Sequence, residues 1–220
     1  MEFKGIPVGP RGILKQQLER LEKELMTATI GASLDFYLFD ENEDKISTKH
    51  SPKPYLNSKK RQIFHITEKQ QLFLNDIILT SKRSGLQVIA IESGKDKGQL
   101  SAHFAPTKPM ELADNITLFK KAMHQMALDK ELTATFMAMP DMAKSPSKLS
   151  LHFILTKNGT EFLTPEEELT KIAKRITTTI PLQCNNPNSY KRLAMLKKKD
   201  IKLIGDANAL ISVKLFVIVD

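Results

Sequence analysis

Apolar positions recur along this chain with two periods, one helical and one extended. Ile13, Leu14, Leu18, Leu21 and Leu25 follow Pro10-Arg11-Gly12 at helical spacing and predict an amphipathic helix over 13–26. Thr67-x-x-Gln70 is a capping box, and it opens a helix whose inward stripe is Leu72, Phe73, Ile77 and Ile78 and whose end lies near Gly85. Pro109 starts a long helix with Ala113, Ile116, Phe119, Ala122, Met123 and Met126 on its buried side, the methionines serving as core filler. Thr164-Pro165-Glu166-Glu167 combines a cap with a first-turn proline, and Leu169, Ile172, Ala173, Ile176 and Ile180 supply that helix's apolar face.

Between these segments the alternation changes to period two. Residues 33–39 read as a strand with Ser33, Asp35 and Tyr37 on one face and Leu34, Phe36 and Leu38 on the other. A polar, proline-bearing stretch over 41–61 reads as a loop or irregular hairpin. Residues 86–92 and 99–104, joined by a turn at 93–97, predict a hairpin with Glu92 at its mouth. Residues 133–137 and 149–155 read as a second strand pair around a Pro/Ser/Lys turn, with Ser150 and His152 on the face opposite Leu149, Leu151, Phe153 and Leu155. An apolar strand over 210–219 closes the chain. Hairpins alternating with helices indicate an α+β fold, a mostly antiparallel sheet flanked by helices, in one unit spanning 1–220. Asp35, Glu92 and His152 would then line one concave surface.

Composition narrows the setting. With 220 residues and 41% hydrophobic content the chain can bury a sizeable core. No apolar run reaches membrane-spanning length, and the first residues lack the layout of a signal peptide, so no membrane partner is expected. The single cysteine, Cys184, excludes an internal disulfide framework and favours the cytoplasm. A net charge of +8 attracts phosphate or acidic partners. Aromatics are only 6% and no RNA-binding signature is present, so nucleic acid is the disfavoured partner. The lysine run at 197–202 reads as a solvated loop, and nucleic-acid binding there would be salt-sensitive and sequence-blind.

Several stretches, in this order, resemble the catalytic domain of glutamine synthetase: GASLDFYLFD, IESGKDKGQLSAHF, ELADNITLFKKAMHQMA, LTATFMAMP, KLSLHFIL, PNSYKRL and GDANALISVKL. The likeness covers most of the chain. The family's N-terminal domain and the carboxy-terminal part of its catalytic domain have no counterpart, so the resemblance implies a truncated member. Its reaction transfers the ATP γ-phosphoryl to the glutamate side chain, and ammonia then displaces phosphate. Phosphoryl transfer of this kind uses Mg or Mn to neutralise charge on the phosphate oxygens, and the family holds two such ions in a ring of glutamates and one histidine.

Carried over position by position, that ring is broken. Where the family has Glu-x-Glu before Phe, this chain has Ser33-x-Asp35. Glu92 matches a metal-binding glutamate, so the resemblance leaves Asp35 and Glu92 as a weak or vestigial metal pair. Gly98 and Gln99 match Gly-Gln-x-Glu, with Ser101 in place of its glutamate. In the His-x-His strand Ser150 replaces the metal-binding histidine, and His152 matches the one that faces nucleotide phosphate. The glycine-rich loop before that strand is Ala143-Lys144-Ser145-Pro146-Ser147-Lys148, without glycine. Arg192 matches a catalytic arginine that steadies substrate, whereas Lys198 stands where a flap glutamate would face ammonium. Asn208 is kept, Ala209 replaces an arginine, and Lys214 replaces a second, phosphate-binding one, keeping its charge but not its bidentate fork.

The resemblance therefore implies a catalytically impaired family member that acts, if at all, through nucleotide or subunit binding. The alternatives are an active glutamate–ammonia ligase, or related γ-glutamyl ligase, and a basic nucleic-acid-binding protein. Expected partners are ATP, glutamate, a second copy of the chain or a full-length glutamine synthetase.

Overall fold

The computed structural model describes residues 9–40, 54–56, 67–137, 140, 145–161 and 211–213. Its organising element is β1, Met26–Asp40, a strand of 15 residues. Ahead of it, α1 runs Pro10–Lys23 with proline in its first turn. That helix stops before the predicted end at Met26 because Leu25 takes a left-handed conformation, φ 55, which turns the chain into the strand. Leu14, Leu18 and Leu21 are half-buried, while Ile13 and Leu25 stay exposed. An ion pair between Arg11 and Asp114 ties the helix start to α3, Pro109–Leu128.

The hairpin expected after the second helix is present. β2, Val88–Ser93, pairs antiparallel with β3, Gln99–Thr107, and β3 pairs antiparallel with β1. The other predicted strand pair is not a hairpin. β4, Leu132–Thr135, pairs with β1 residues 37–40, and β5, Leu149–Lys157, pairs with β1 residues 26–34. The two therefore lie end to end along the same long strand. β1 is long enough to take both, and sequence adjacency alone had suggested that they pair with each other. β6, Thr160–Glu161, and β7, Ile211–Val213, both pair with β5. Every ladder among the described residues is antiparallel, in line with the mostly antiparallel sheet expected.

One face of the sheet is packed under α2, Glu68–Arg83, and α3. Thr67 caps α2, its hydroxyl accepting from the Gln70 amide while the Gln70 side chain accepts from the Thr67 amide. Phe36, Leu38, Leu100, Ala102 and Phe104 share one buried cluster with Phe73, Ile77, Ile116, Phe119 and Met123. Phe119 makes edge contacts with Phe36 and Phe104, at ring separations of 6.1 and 5.4 Å. The helices are rotated slightly from the predicted stripes: Leu74 and Leu112 are buried, whereas Leu72 and Ala113 are exposed. Met123 is fully buried, as expected of core filler. The helix predicted at 164, Cys184, the lysine run at 197–202, and most of the 41–61 stretch lie outside the described residues.

Gly98 sets the start of β3. Its φ is +79, its amide donates to the Leu56 carbonyl at 2.8 Å, and its own carbonyl accepts from the Leu38 amide at 2.9 Å. A Cβ there would lie 2.8 Å from Pro54 Cβ and 2.9 Å from the Leu38 carbonyl oxygen. Left-handed strain and a backbone collision thus coincide. Gly98→Ala is expected to lower stability by about 2 kcal/mol or more, read as a drop in the denaturation midpoint at unchanged slope.

Candidate functional site

The face of the sheet away from α2 and α3 carries the polar residues, and the strand registers place them in rows. In the first row Asp35 lies opposite Ser101, and Ser101 lies opposite Glu92 on its other flank. On the β5 side the ladder runs Ser33↔Ser150 and Leu34↔Leu149, and the Asp35 amide then donates to the Lys148 carbonyl at 2.7 Å. The row across four chain segments is therefore Glu92, Ser101, Asp35, Lys148. The second row is Ala90, His103, Ser33, Ser150. The third places Gly31 opposite His152, and His152 opposite Ser212.

Asp35 is half-buried on this surface, more enclosed than Glu92. Burial raises its pKa above the ordinary 3.8, and part of that rise is offset by the Ser101 hydroxyl, the Lys148 ammonium, the Lys148 backbone amide and the His103 ring. Glu92 is exposed and leans diagonally toward the second row, where its Oε2 lies 3.6 Å from His103 Nε2. That separation is too long for a hydrogen bond. The two carboxylates singled out from sequence thus share one row but are separated by a serine. His152 shares their face at a distance, because Gly31, its partner, lies four residues from Asp35, roughly 13 Å along the strand. Arg192, Lys198, Asn208, Ala209 and Lys214 lie outside the described residues.

Two participants were not singled out from the sequence. His103 could have been found by the period-two alternation Gln99, Ser101, His103, which places all three on the polar face. Lys148 was noted as part of a loop lacking glycine, but its position opposite Asp35 depends on the β1–β5 register. The segment leading to it is held firmly. Gln99, 3% exposed, accepts from the amides of Lys95 and Asp96 at 2.9 and 3.4 Å and donates to the Pro146 carbonyl at 3.4 Å. Tyr37, fully buried, donates its hydroxyl hydrogen to the Ser145 carbonyl at 2.6 Å, and the Asp96 carboxylate accepts from the Ser145 amide.

Comparison with known proteins decides the lineage. The family model "Glutamine synthetase, catalytic domain" matches residues 7–203. The chain belongs to the glutamine synthetase family. It is 32% identical over 194 residues to the glutamine synthetase of Pyrococcus woesei, covering 84% of this chain and 42% of that protein. It is 27% identical over 202 residues to the glutamine synthetase of Thermus thermophilus, with 84% and 43% covered. The chain thus spans about two-fifths of the length of these curated relatives. Among solved structures it is similar to Plasmodium falciparum glutamine synthetase, with TM-score 0.67, 18% identity, and 85% and 44% of the two chains covered. A structure described as a novel glutamine synthase homolog gives TM-score 0.66 at 16% identity, with 89% and 46% covered.

Placed on that family background, the polar face does not fit a pair of divalent cations. Mg and Mn ask for several oxygen ligands, carboxylates above all. Here Ser33, Ser101 and Ser150 present neutral hydroxyl groups, and Lys148 adds a positive charge opposite Asp35. Among the described residues no three His, Cys, Asp or Glu side chains come together so as to hold a metal ion.

The raised pKa of Asp35 has a signed consequence. Below the unfolded value of 3.8 the carboxyl is neutral in both states and carries no penalty; as pH rises through the higher folded value, the enclosed charge costs stability. Asp35→Asn lacks that titration. The melting temperature of Asp35→Asn minus that of the parent chain should become more positive between about pH 4 and about pH 7, as read by calorimetry. A flat or falling difference contradicts the assignment.

Proposed function

We propose that this chain is a catalytically impaired member of the glutamine synthetase family that acts by binding rather than by ligating ammonia to glutamate. The observation that supports the reading is the first polar row. Ser101 separates the two remaining carboxylates, and an ammonium lies opposite the more enclosed of them. Phosphoryl transfer from ATP to a carboxylate places charge on phosphate oxygens that divalent cations must neutralise. Two carboxylates flanking a serine are a poor holder for such ions.

The binding role has two forms with different chemistry. One is a nucleotide, its phosphates approached by His152 and by Lys214. The other is protein: a second copy of the chain, or the subunits of an intact glutamine synthetase. The domain is one partial catalytic domain over 1–220, working in the cytoplasm. The helix-packed core is intact without a carboxylate ring, so a folded scaffold can persist where turnover does not. No helix among the described residues is long and apolar enough to cross a membrane.

The purified chain, given ATP, Mg or Mn, glutamate and ammonia, should release no ADP that depends on both glutamate and ammonia. Its binding role should appear either as a melting temperature raised by Mn·ATP, since a ligand of the native state stabilises it, or as co-elution with a full-length glutamine synthetase from the same cell. ADP release that requires both co-substrates and is abolished by Glu92→Ala would return the chain to the active ligases.

A further inference from the structure

We propose that Lys148 is a built-in cation for the carboxylate row: its ammonium neutralises Asp35 and keeps divalent metal ions off this face of the sheet. The inference rests on the family reading only in taking Asp35 and Glu92 as remnants of a metal ring, and it can fail separately.

The geometry comes first. Ser33 faces Ser150 and Leu34 faces Leu149, so the next position in the antiparallel register sets Asp35 opposite Lys148, joined by the 2.7 Å bond from the Asp35 amide. Directly opposed residues on one face hold their Cβ atoms roughly 5 Å apart, well within reach of a lysine stem. On the other flank Ser101 offers only a hydroxyl. The Asp35 carboxylate thus has a donor and a neighbouring cation without any metal. Where the resemblance places a glycine-rich loop, this chain has no glycine and carries Lys148 at the loop's last position.

Lys148 does not swing on a loose tether. The Gln99 side chain donates to the Pro146 carbonyl, the Tyr37 hydroxyl donates to the Ser145 carbonyl, and the Asp96 carboxylate accepts from the Ser145 amide just ahead of it, and Ser147 is 2% exposed. From Leu149 onward the chain is held in the β1 ladder. A cation delivered from a segment clamped on both sides is present whenever the sheet is folded.

Charge then decides what can enter. With Glu92 and Asp35 ionised and Lys148 protonated, the row carries a net charge of −1 (two negative, one positive). An approaching divalent ion gains little from that sum and must sit beside a fixed positive charge, with two carboxylates to replace several water ligands. A lysine ammonium is a compact, strongly hydrated point charge, suited to neutralise one carboxylate but not to bridge phosphate oxygens as a metal does. The row is thereby stabilised and metal-excluding through one residue.

The test restores one carboxylate and varies only the cation. Full-length chains carrying Ser101→Glu with Lys148→Met, and Ser101→Glu with Lys148→Arg, are titrated with Mn²⁺ and the bound ion is read by electron paramagnetic resonance. The methionine version should bind at least tenfold more tightly than the arginine version. Equal affinities, including no binding in both, overturn the proposal. The unaltered chain gives a second reading that does not depend on variants folding. In its NMR spectrum, Mn²⁺ should broaden the Asp35 and Ser101 amide signals no more than those of exposed segments elsewhere in the chain. Selective broadening at those two residues also overturns the proposal, and neither measurement depends on turnover.

Discussion

A single strand that must satisfy two environments at once governs the structure. β1 has neighbours on both edges, β3 along one and β4 followed by β5 along the other. Its backbone groups are therefore committed to the sheet, and only its side chains can vary. Leu34, Phe36 and Leu38 point into the helix-packed core and are all 5% exposed or less. Ser33 and Asp35 point the other way. Because side chains alternate strictly, the aromatic contacts beneath Phe36 fix which way Asp35 faces, and a slip of one residue would bury the carboxylate under α3. Packing on one face thus positions the chemistry on the other.

Residues that stabilise this arrangement differ from those that would make it a metal centre. Gln99 and Ser101 lie two positions apart on the same strand and share the polar side. Gln99 joins the β2–β3 turn to the segment before β5 through buried hydrogen bonds, so its loss would leave amides and a carbonyl unpaired. Ser101 has no such structural duty beyond its contact with Asp35. The fold can therefore tolerate a serine in place of the glutamate expected from the family, whereas it depends on the glutamine. Loss of ligands can proceed without loss of the sheet.

Much of the fold was legible because it is local. The Thr67–Gln70 capping box, the proline that opens α3 and the β2–β3 hairpin are all set by residues a few positions apart. What sequence reading got wrong is non-local. β4 and β5 look like a hairpin by spacing, but both use the length of β1, and only long-range pairing shows it. The buried stripe of α2 includes Leu74 and not Leu72, a rotation set by where the helix packs against β2 and α3 rather than by its own periodicity. The polar residues on β1 and β5 were assigned to the correct face by alternation. Their grouping into rows was not, because rows depend on register, and register brought His103 and Lys148 into the picture.

The rows also explain how an enclosed carboxylate is accommodated on this face. A carboxylate half-removed from water loses hydration that a metal would ordinarily replace. When ring ligands are lost, that cost does not vanish; something else must supply the positive field, or the group must take up a proton. The two tendencies compete at Asp35. Its pKa is pushed upward by burial, and hydrogen bonds and nearby charge from Ser101, Lys148 and His103 pull it part of the way back. Glu92, exposed at the sheet's edge, keeps its solvent and needs less help. The two carboxylates are therefore not equivalent in their surroundings. The outer one is stabilised by water, and the inner one by whatever the β1–β5 register sets opposite it.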